Sequence, residues 1–263
     1  MNKPIALVTG ATKGLGLAIA KALDQEGYKV YGTSRKPDTY KDSFSFKLLK
    51  LDLADRQTID ELAIELPEVD LLINNAGYSH IGTVEETQID RIEELFNVNL
   101  INQIYLTQKF IPSMRRKKKG TIINITSMAG SVPVPYSTLY ASVKSAFDGF
   151  SKGLRNELSQ FGINVMAVAP FQMNTNIPQE QGFESDSPYQ PHISKAKKAR
   201  DNALANAEDP EYIADQIISV LNESNPRPHI ALGKGAWRKE WLIKYLPNKW
   251  VEKIAKKRFD LDY

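Results

Sequence analysis

The sequence predicts an α/β fold in which a doubly wound parallel sheet carries helices on both faces. Short apolar runs alternate along the chain with amphipathic helical segments, and the connections between them are short. The candidate strands are nearly continuous apolar runs, as expected of strands buried on both faces. The length of 263 residues, with 42% hydrophobic and 25% charged residues, fits one globular domain spanning residues 1–263.

The predicted elements follow one another in a regular rhythm through the first two-thirds of the chain. Strands are predicted over residues 5–9, 29–33, 47–51, 71–74, 120–127 and 164–169. Helices are predicted between them over residues 15–26, 56–66, 89–115 and 141–161. A segment rich in Gln, Pro, Ser and Lys, residues 172–205, breaks the rhythm and is predicted to be a mobile substrate loop. A helix over 210–222 and a strand over 229–233 then resume the pattern.

Several classes of protein are excluded by composition. No apolar stretch approaches the roughly 18 residues that a membrane-spanning helix needs, and the N-terminus lacks the regions of a signal peptide. The absence of cysteine excludes a disulfide scaffold, an iron–sulfur cluster and thiol chemistry. The three histidines do not have the spacing of metal ligands, so no metal is predicted. We expect a soluble, cytoplasmic protein.

The basic charge of the chain is concentrated near its C-terminus. The net charge is +3, whereas residues 234–258 contain nine Lys or Arg and two Glu and carry +7. A nucleic-acid-binding protein would spread basic residues over a reading surface, so no nucleic-acid partner is predicted. Residues 234–263 also contain all three tryptophans, interleaved with the cations. We interpret this C-terminal extension first as a packed extension or pocket flap, and second as a peripheral membrane contact.

A glycine-rich turn between the first strand and first helix predicts a phosphate site. Glycines let the backbone approach a phosphate, and a helix N-terminus offers unpaired N–H groups. The glycine spacing is G-x-x-x-G-x-G, and glycines that merely pack a turn are the alternative. The turn residues predicted to contact a dinucleotide are Gly10, Thr12, Lys13, Gly14, Leu15 and Gly16.

The end of the second strand indicates which dinucleotide is bound. An NAD site places an acidic residue about 20 positions after the glycines. Here that place holds Ser34 and Arg35, and Lys13 lies within the turn. Two cations would pair with a 2′-phosphate, which favours NADP(H). The alternatives are a solvated basic patch and a contribution from the nearby Asp38.

A Tyr-x-x-x-Lys pattern occurs three times, and its context distinguishes one copy. Only Tyr140/Lys144 has a serine, Ser127, thirteen residues before the tyrosine, at a strand end. The copies at Tyr105/Lys109 and Tyr245/Lys249 are interpreted as surface residues. A phenol has a pKa of about 10, which a nearby ammonium and a positive nicotinamide would lower. Ser127 would then hold the reacting oxygen.

With these motifs the chain resembles the short-chain dehydrogenase/reductase family from residue 4 to about residue 175. The resemblance also rests on Asn74-Asn75-Ala76-Gly77 and on Phe96-Asn97-Val98-Asn99. It implies a Rossmann fold in which Tyr140 is the general acid/base, Lys144 lowers its pKa and binds the nicotinamide ribose, and Ser127 orients the substrate. It further implies that Asn99 supports a helix kink and a water that connects Lys144 to solvent.

The resemblance also assigns further cofactor contacts. Asp52 and Leu53 would contact the adenine, although an Asp there can simply cap a helix. Asn75, Ala76 and Gly77 would line the cofactor channel. Pro170 and Thr175 would flank the nicotinamide, with Thr175 holding its carboxamide. Where the family usually has Gly after the Pro, this chain has Phe171, which is expected either beside the nicotinamide or in the core.

The predicted activity is NADP(H)-dependent interconversion of a ketone or aldehyde and an alcohol. The extension and an aromatic pocket edge resemble the hydroxysteroid and retinol dehydrogenase-like branch, which implies a hydrophobic, lipid-like substrate. His80 is interpreted as a substrate contact or as a surface histidine. The alternative function is an NADP(H)-binding regulatory or sensor protein. The resemblance implies a homodimer or homotetramer formed through the helices at 89–115 and 141–161.

Overall fold

A computed structural model of the chain describes residues 3–132, 134–174, 177–184, 186–205 and 207–261. Its main sheet contains seven strands, and all of their pairings are parallel. The strands are β1 Ile5–Val8, β2 Lys29–Ser34, β3 Lys47–Lys50, β4 Leu71–Asn74, β6 Gly120–Ile125, β7 Ile163–Pro170 and β9 His229–Leu232. The predicted fold class is therefore confirmed.

The helices cover both faces of this sheet. They are α1 Gly14–Gln25, α2 Arg56–Glu65, α3 Ile89–Phe96, α4 Asn102–Lys117, α5 Thr138–Leu158, α6 Gln190–Ala205, α7 Pro210–Leu221, α8 Ala236–Tyr245 and α9 Asn248–Arg258. The prediction of one continuous helix over residues 89–115 is wrong, because a π-helical turn, Asn97–Ile101, separates α3 from α4. No helix within the described ranges is long and apolar enough to cross a membrane.

The segment expected to be a mobile substrate loop has regular structure in its described residues. It contributes β8, Gln179–Gly182, and helix α6. Strand β8 pairs in parallel with β5, Ser79–Gly82, to form a small second sheet. Strand β5 follows so soon after β4 that its residues read as a loop in the sequence.

The core consists of two layers that share the strands of the main sheet. Successive strand residues point to opposite faces, so Ala6 and Val8 pack towards α1 and α7 while Leu7 packs towards α2, α4 and α5. The first layer includes Ile19 and Ile217, and the second includes Phe110. Both layers are fully buried at these positions, as a sheet covered on both faces requires.

The order of the strands defines where a ligand can bind. The order is β3-β2-β1-β4-β6-β7-β9, so the chain moves outwards in one direction from β1 and in the other from β4. In open α/β sheets, ligands bind beyond the carboxyl ends of the strands at such a reversal point. The glycine-rich turn follows β1, and Asn75-Ala76-Gly77 follow β4, so both motifs lie at that point.

A chain of buried amides fixes helix α5 against the sheet. Asn74 Nδ2 donates to Asn124 Oδ1 across β4 and β6 at 2.8 Å, and Asn124 Nδ2 donates to Ser151 Oγ of α5 at 2.8 Å. Asn74 Nδ2 also lies 2.9 Å from Thr107 Oγ1 of α4. Buried polar groups are costly unless they are paired. These pairs therefore specify how α4 and α5 are placed on the strands that precede the site.

A partly buried ion cluster joins the C-terminal extension to α5. His229 Nδ1 lies 2.5 Å from Asp148 Oδ1 of α5, and its Nε2 lies 2.5 Å from Glu240 Oε1 of α8. Burial alone lowers the pKa of His229, but the hydrogen bonds and charges of Asp148 and Glu240 outweigh it and raise the pKa to about 9. The imidazole is therefore a cation at neutral pH, held between two carboxylates.

We predict that His229→Gln destabilises the protein in a pH-dependent way. A His whose pKa is higher in the folded than in the unfolded state stabilises the fold below its unfolded pKa of about 6.5, and this contribution is lost as the pH rises through the folded value. The expected loss in unfolding free energy is roughly 3 kcal/mol near pH 6.5 and falls towards zero above pH ~9. Urea unfolding of both proteins across this range measures it.

The matched control is Lys152→Gln, which removes an exposed cation paired with the same Asp148. That change should cost less than about 1 kcal/mol at every pH. A His229→Gln deficit that stays constant from pH 6 to pH 9.5 would show that the imidazole is not charged in the folded protein.

Candidate active site

The glycine-rich turn forms a cradle suited to an anion. Gly10 has a φ of +68°, a backbone conformation that residues other than glycine rarely adopt. Helix α1 begins at Gly14. A Cβ at Gly16 would lie 2.3 Å from the carbonyl oxygen of Gly10, so only glycine allows this close approach. Lys13 makes no side-chain cap, and the first turn of α1 contains no acidic residue. The N–H groups of Gly10 and Ala11 donate to Thr33, whereas the first N–H groups of α1 have no side-chain cap and would be available to a phosphate.

The walls of the cleft are tied together by side-chain to backbone hydrogen bonds. Thr9 Oγ1 accepts from the backbone N–H groups of Asn75 and Ala76 at 2.8 and 2.9 Å. Asn75 Nδ2 donates to the carbonyl of Thr9 at 2.9 Å. Both motifs at the reversal point are thereby held as one unit, and the lining of a cofactor channel by Asn75, Ala76 and Gly77 stays a prediction.

The cations expected to select the cofactor lie on the surface at the same edge. Lys13 and Arg35 are both exposed, and neither pairs with a carboxylate among the described residues. Ser34 Oγ accepts from the N–H of Lys36 at 3.2 Å, and Asp38 lies in the following turn, Pro37–Tyr40. The structure thus brings Arg35 and Lys13 to neighbouring strand ends with their charges open to a ligand.

Asp52 stabilises a loop and does not cap helix α2. Its Oδ1 accepts from the N–H of Ala54 at 3.0 Å, whereas the cap of α2 is Asp55, which accepts from the N–H of Gln57. Leu53 is buried, and its carbonyl accepts from Asn102 Nδ2 at 2.7 Å. The helix-cap interpretation of Asp52 is therefore wrong, and the side chain remains at the edge of the cleft.

Asn99 lies in the π-helical turn and connects it to the end of the fourth strand. The side chain is fully buried; its Oδ1 accepts from the N–H of Tyr78 at 3.0 Å, and its Nδ2 donates to the carbonyl of Tyr78 at 2.8 Å. A Cβ at Gly77 would lie 2.4 Å from Asn99 Oδ1. The expected helix kink is therefore present, and it depends on Gly77 to leave room for the asparagine.

Ser127, Tyr140 and Lys144 come together at the carboxyl end of β6. Ser127 follows β6, where its Oγ accepts from the N–H of Ala129 at 3.1 Å. Tyr140 lies in the first turns of α5 and faces Ser127, whose hydroxyl acts to lower the pKa of the phenol. Lys144 is buried one turn later, with Nζ donating to the carbonyl of Ile125 at 2.9 Å and lying 5.8 Å from the centre of the Tyr140 ring.

Burial and the neighbouring polar groups shift the pKa of Tyr140 in opposite directions. Burial raises the pKa of Tyr140, while the positive charge of Arg200 and the hydrogen bond to Ser127 act to lower it. Burial lowers the pKa of Lys144 to about 8, so most of its charge is retained at neutral pH. The phenol is thus kept protonated next to cations that would stabilise its anion, which suits a group that donates a proton and later takes it back.

Arg200 is a site residue that the sequence analysis missed. It lies on α6, is half-buried, and its Nη2 is 3.4 Å from Ser79 Oγ of β5. Burial lowers the pKa of Arg200, whereas the facing Tyr140 acts in the opposite direction. One arginine within a lysine-rich helix carried no signal of this position, because only the fold of α6 over the sheet edge brings it to the phenol.

Phe171 contacts the C-terminal extension. Its ring lies 3.8 Å from Lys239 Nζ of α8 and 5.3 Å from the guanidinium carbon of Arg258 of α9, so it is held between two cations. Its N–H donates to the carbonyl of Leu232 at 2.8 Å. Pro170 ends β7, as expected. Thr175 lies outside the described residues.

The structure also shows where His80 and the Tyr105/Lys109 pair lie. His80 is 1% exposed and its Nε2 lies 3.4 Å from Thr87 Oγ1, so the interpretation as a surface histidine is wrong. The interpretation as a substrate contact stays a prediction. Burial lowers its pKa, which favours the neutral ring. The Tyr105/Lys109 pair is half-buried and binds Asp60 of α2, so it serves the packing of α4 on α2.

Comparisons with known proteins agree with this geometry. A family model described as short chain dehydrogenase matches residues 4–185. The chain is 30% identical over 236 residues to 3-ketodihydrosphingosine reductase of Bacteroides thetaiotaomicron, covering 86% of each protein. A short-chain dehydrogenase from Streptomyces avermitilis is 27% identical with a TM-score of 0.82, covering 98% of this chain and 97% of that one. ElxO with NADP bound is 26% identical with a TM-score of 0.73–0.74, covering 90% of this chain and 100% of that one.

Proposed function

Because the chain belongs to the short-chain dehydrogenase/reductase family and is an oxidoreductase that uses a nicotinamide cofactor, we propose that it reduces a ketone or aldehyde with NADPH, reversibly. The observation that carries the proposal is the placement of Tyr140 against Ser127, with the buried ammonium of Lys144 one helical turn away. A binding protein without catalysis has no need for a proton donor, an oxygen ligand and a cation at one point.

The residues present fit a bound dinucleotide. Gly10 and Gly16 leave the close backbone approach that a pyrophosphate requires, and the uncapped start of α1 offers N–H donors to it. Arg35 and Lys13 would hold the 2′-phosphate of NADPH, with Ser34 beside them. Asp52 and Leu53 would contact the adenine, and Asn75, Ala76 and Gly77 the middle of the cofactor. Pro170 and Thr175 would flank the nicotinamide.

The protein's own groups would perform the proton transfer. When bound, the reduced nicotinamide supplies a hydride to the carbonyl carbon. Ser127 would hold the carbonyl oxygen, and the Tyr140 hydroxyl would donate its proton to that oxygen as negative charge develops there. Lys144, with one N–H engaged by Ile125, would bind the nicotinamide ribose and stabilise the phenolate, while Asn99 maintains the π-helical turn beside it.

We extend the proposal to a hydrophobic, lipid-like substrate. The name of the Bacteroides relative states that it reduces a 3-keto sphingoid base, which is a long-chain ketone. In this chain the half-buried Tyr78 and Phe171 follow β4 and β7 and would border the site, and Arg200 would offer a cation beside the reacting oxygen. This combination suits a carbonyl compound with a long apolar part and a polar end.

The proposal also covers association with other molecules. We propose a homodimer or homotetramer through α3, α4 and α5, supported by an apolar groove of about 410 Å³ on α3 that Ile92, Phe96 and Ile101 line.

The reaction is tested by following NADPH oxidation with 2-alkanones of increasing chain length, for wild type, Tyr140→Phe and Tyr105→Phe. We expect kcat/KM to rise with chain length in the wild type. Tyr140→Phe should lose roughly 100- to 10,000-fold in kcat because the proton donor is removed, while its Kd for NADPH changes less than about threefold. Tyr105→Phe is the matched control, since its tyrosine belongs to the same sequence pattern but lies outside the site.

Two results would contradict the proposal in different ways. If the wild-type protein binds NADPH but none of the carbonyl compounds tested causes NADPH oxidation, the sensor function gains support. If short, polar ketones are preferred to long ones, the reaction stands and the lipid-like substrate is wrong.

Cofactor preference is tested with Arg35→Asp. The reversed charge would repel the 2′-phosphate and accept from a ribose hydroxyl, so the ratio of kcat/KM for NADPH to that for NADH should fall by roughly 100-fold. Arg227→Asp reverses an exposed arginine at the amino end of β9, away from the cleft, and should leave the ratio unchanged. An unchanged ratio in Arg35→Asp would remove Arg35 from the cofactor site.

A further inference from the structure

We infer that α8 and α9 form a docking surface for membranes that contain anionic phospholipid. The inference stands on the exposed side chains and charge of these two helices, and it rests on the proposed function only for the suggestion that substrate is drawn from the same membrane. Their aromatic residues face away from the protein body, although they are the largest apolar side chains of the extension.

Helix α8 has two faces with opposite roles. Trp237, Trp241 and Tyr245 are spaced four residues apart, so they share one face, and they are 61%, 60% and 65% exposed. The other face carries the fully buried Ala236 and Glu240, which binds His229. The aromatic side chains therefore do not lie on the face that packs on the sheet.

Helix α9 repeats this arrangement. Val251 and Ala255 are buried against the protein, while Trp250 and Ile254, again four residues apart, are 65% and 51% exposed. Monomeric soluble proteins rarely expose large apolar groups in such a concentration, and those that do use them for binding. Indole and phenol rings are favoured at the boundary between headgroups and acyl chains.

The charges around the aromatic residues specify the partner. Arg238 lies 5.2 Å from the ring centre of Trp237, and Lys244 lies 6.0 Å from that of Tyr245. On α9 an open groove of about 510 Å³ is lined by Lys249, Lys253, Lys256, Lys257, Glu252, Asp260 and Leu261. Residues 234–258 carry +7 in total. A second copy of this chain would bring the same positive charge, whereas an anionic membrane neutralises it.

The anchors of the extension place this surface beside the site. Phe171 follows β7 at the carboxyl edge of the sheet, the edge at which Ser127 follows β6, and Lys239 and Arg258 hold α8 and α9 to it. Both cations contact the ring of Phe171, although the two residues are exposed. Docking through the opposite faces would bring the site edge near the membrane, from which a lipid-like ketone could enter.

The test uses the tryptophans as reporters, because all three lie on the inferred surface. Wild-type protein is mixed with vesicles of phosphatidylcholine alone or with a third phosphatidylglycerol, and binding is measured by co-sedimentation and by tryptophan emission. We expect binding to the anionic vesicles only, a blue-shifted emission on binding, and loss of binding at high salt.

Two variants and their controls separate the contributions. Lys249→Gln/Lys253→Gln/Lys257→Gln should weaken the partition coefficient by roughly 100-fold, since each cation contributes about 1 kcal/mol near an anionic surface. The matched control Lys21→Gln/Lys50→Gln/Lys119→Gln removes three exposed cations elsewhere and should change it less than about threefold. Trp237→Ser/Trp241→Ser should also weaken vesicle binding by at least about tenfold. Its control is Ile64→Ser, which removes an exposed apolar side chain from α2 and should leave vesicle binding unchanged.

Three results would overturn the inference. They are absence of binding to anionic vesicles, equal binding to neutral and anionic vesicles, and equal losses in the lysine variant and its control. A wild-type oligomer that dissociates in Trp237→Ser/Trp241→Ser would show that a second copy covers the surface instead. None of these measurements depends on turnover, so they are independent of the proposed reaction.

Discussion

The buried ammonium of Lys144 is the constraint on which the site depends. A charge removed from water must be hydrogen-bonded or it loses its proton, and the carbonyl of Ile125 at 2.9 Å is the acceptor that the described structure provides. This bond ties α5 to the end of β6, and the Asn124–Ser151 pair ties the same two elements further along. Together they bring Tyr140 of α5 to Ser127, which follows β6.

The parts of the chain that follow β7 add further contacts around the group formed by Ser127, Tyr140 and Lys144. Helix α6 places Arg200 next to the phenol, and the extension is fixed by two separate contacts, the cations around Phe171 and the cluster around His229. The aromatic ring at position 171 thus has a structural role that a glycine could not supply. Neither contact involves the tryptophans of α8 and α9, whose side chains are left to solvent or to a partner.

The sequence predicted most of the fold and the centre of the site, and physical reasons explain the rest. Continuous apolar strands and a Tyr-x-x-x-Lys pattern with Ser127 are local signals, and they located the parallel sheet and the proposed catalytic residues Ser127, Tyr140 and Lys144. The π-helical turn at Asn99 depends on space left by Gly77 in another element, so helical periodicity alone predicted one continuous helix. Arg200, the pairing of β5 with β8 and the His229 cluster each join residues far apart in the chain, for which one sequence carries no signal.

The central claim is that Tyr140 is the proton donor and that cations beside it stabilise its anion. The most direct measurement is a titration of the Tyr140 phenolate by ultraviolet difference absorbance between wild type and Tyr140→Phe, with and without bound NADP⁺. We expect the pKa of Tyr140 to lie above the ordinary value of about 10 in the free protein, where burial dominates, and below it with NADP⁺ bound. A pKa that remains at or above about 10 in the complex would show that the cations do not stabilise the phenolate.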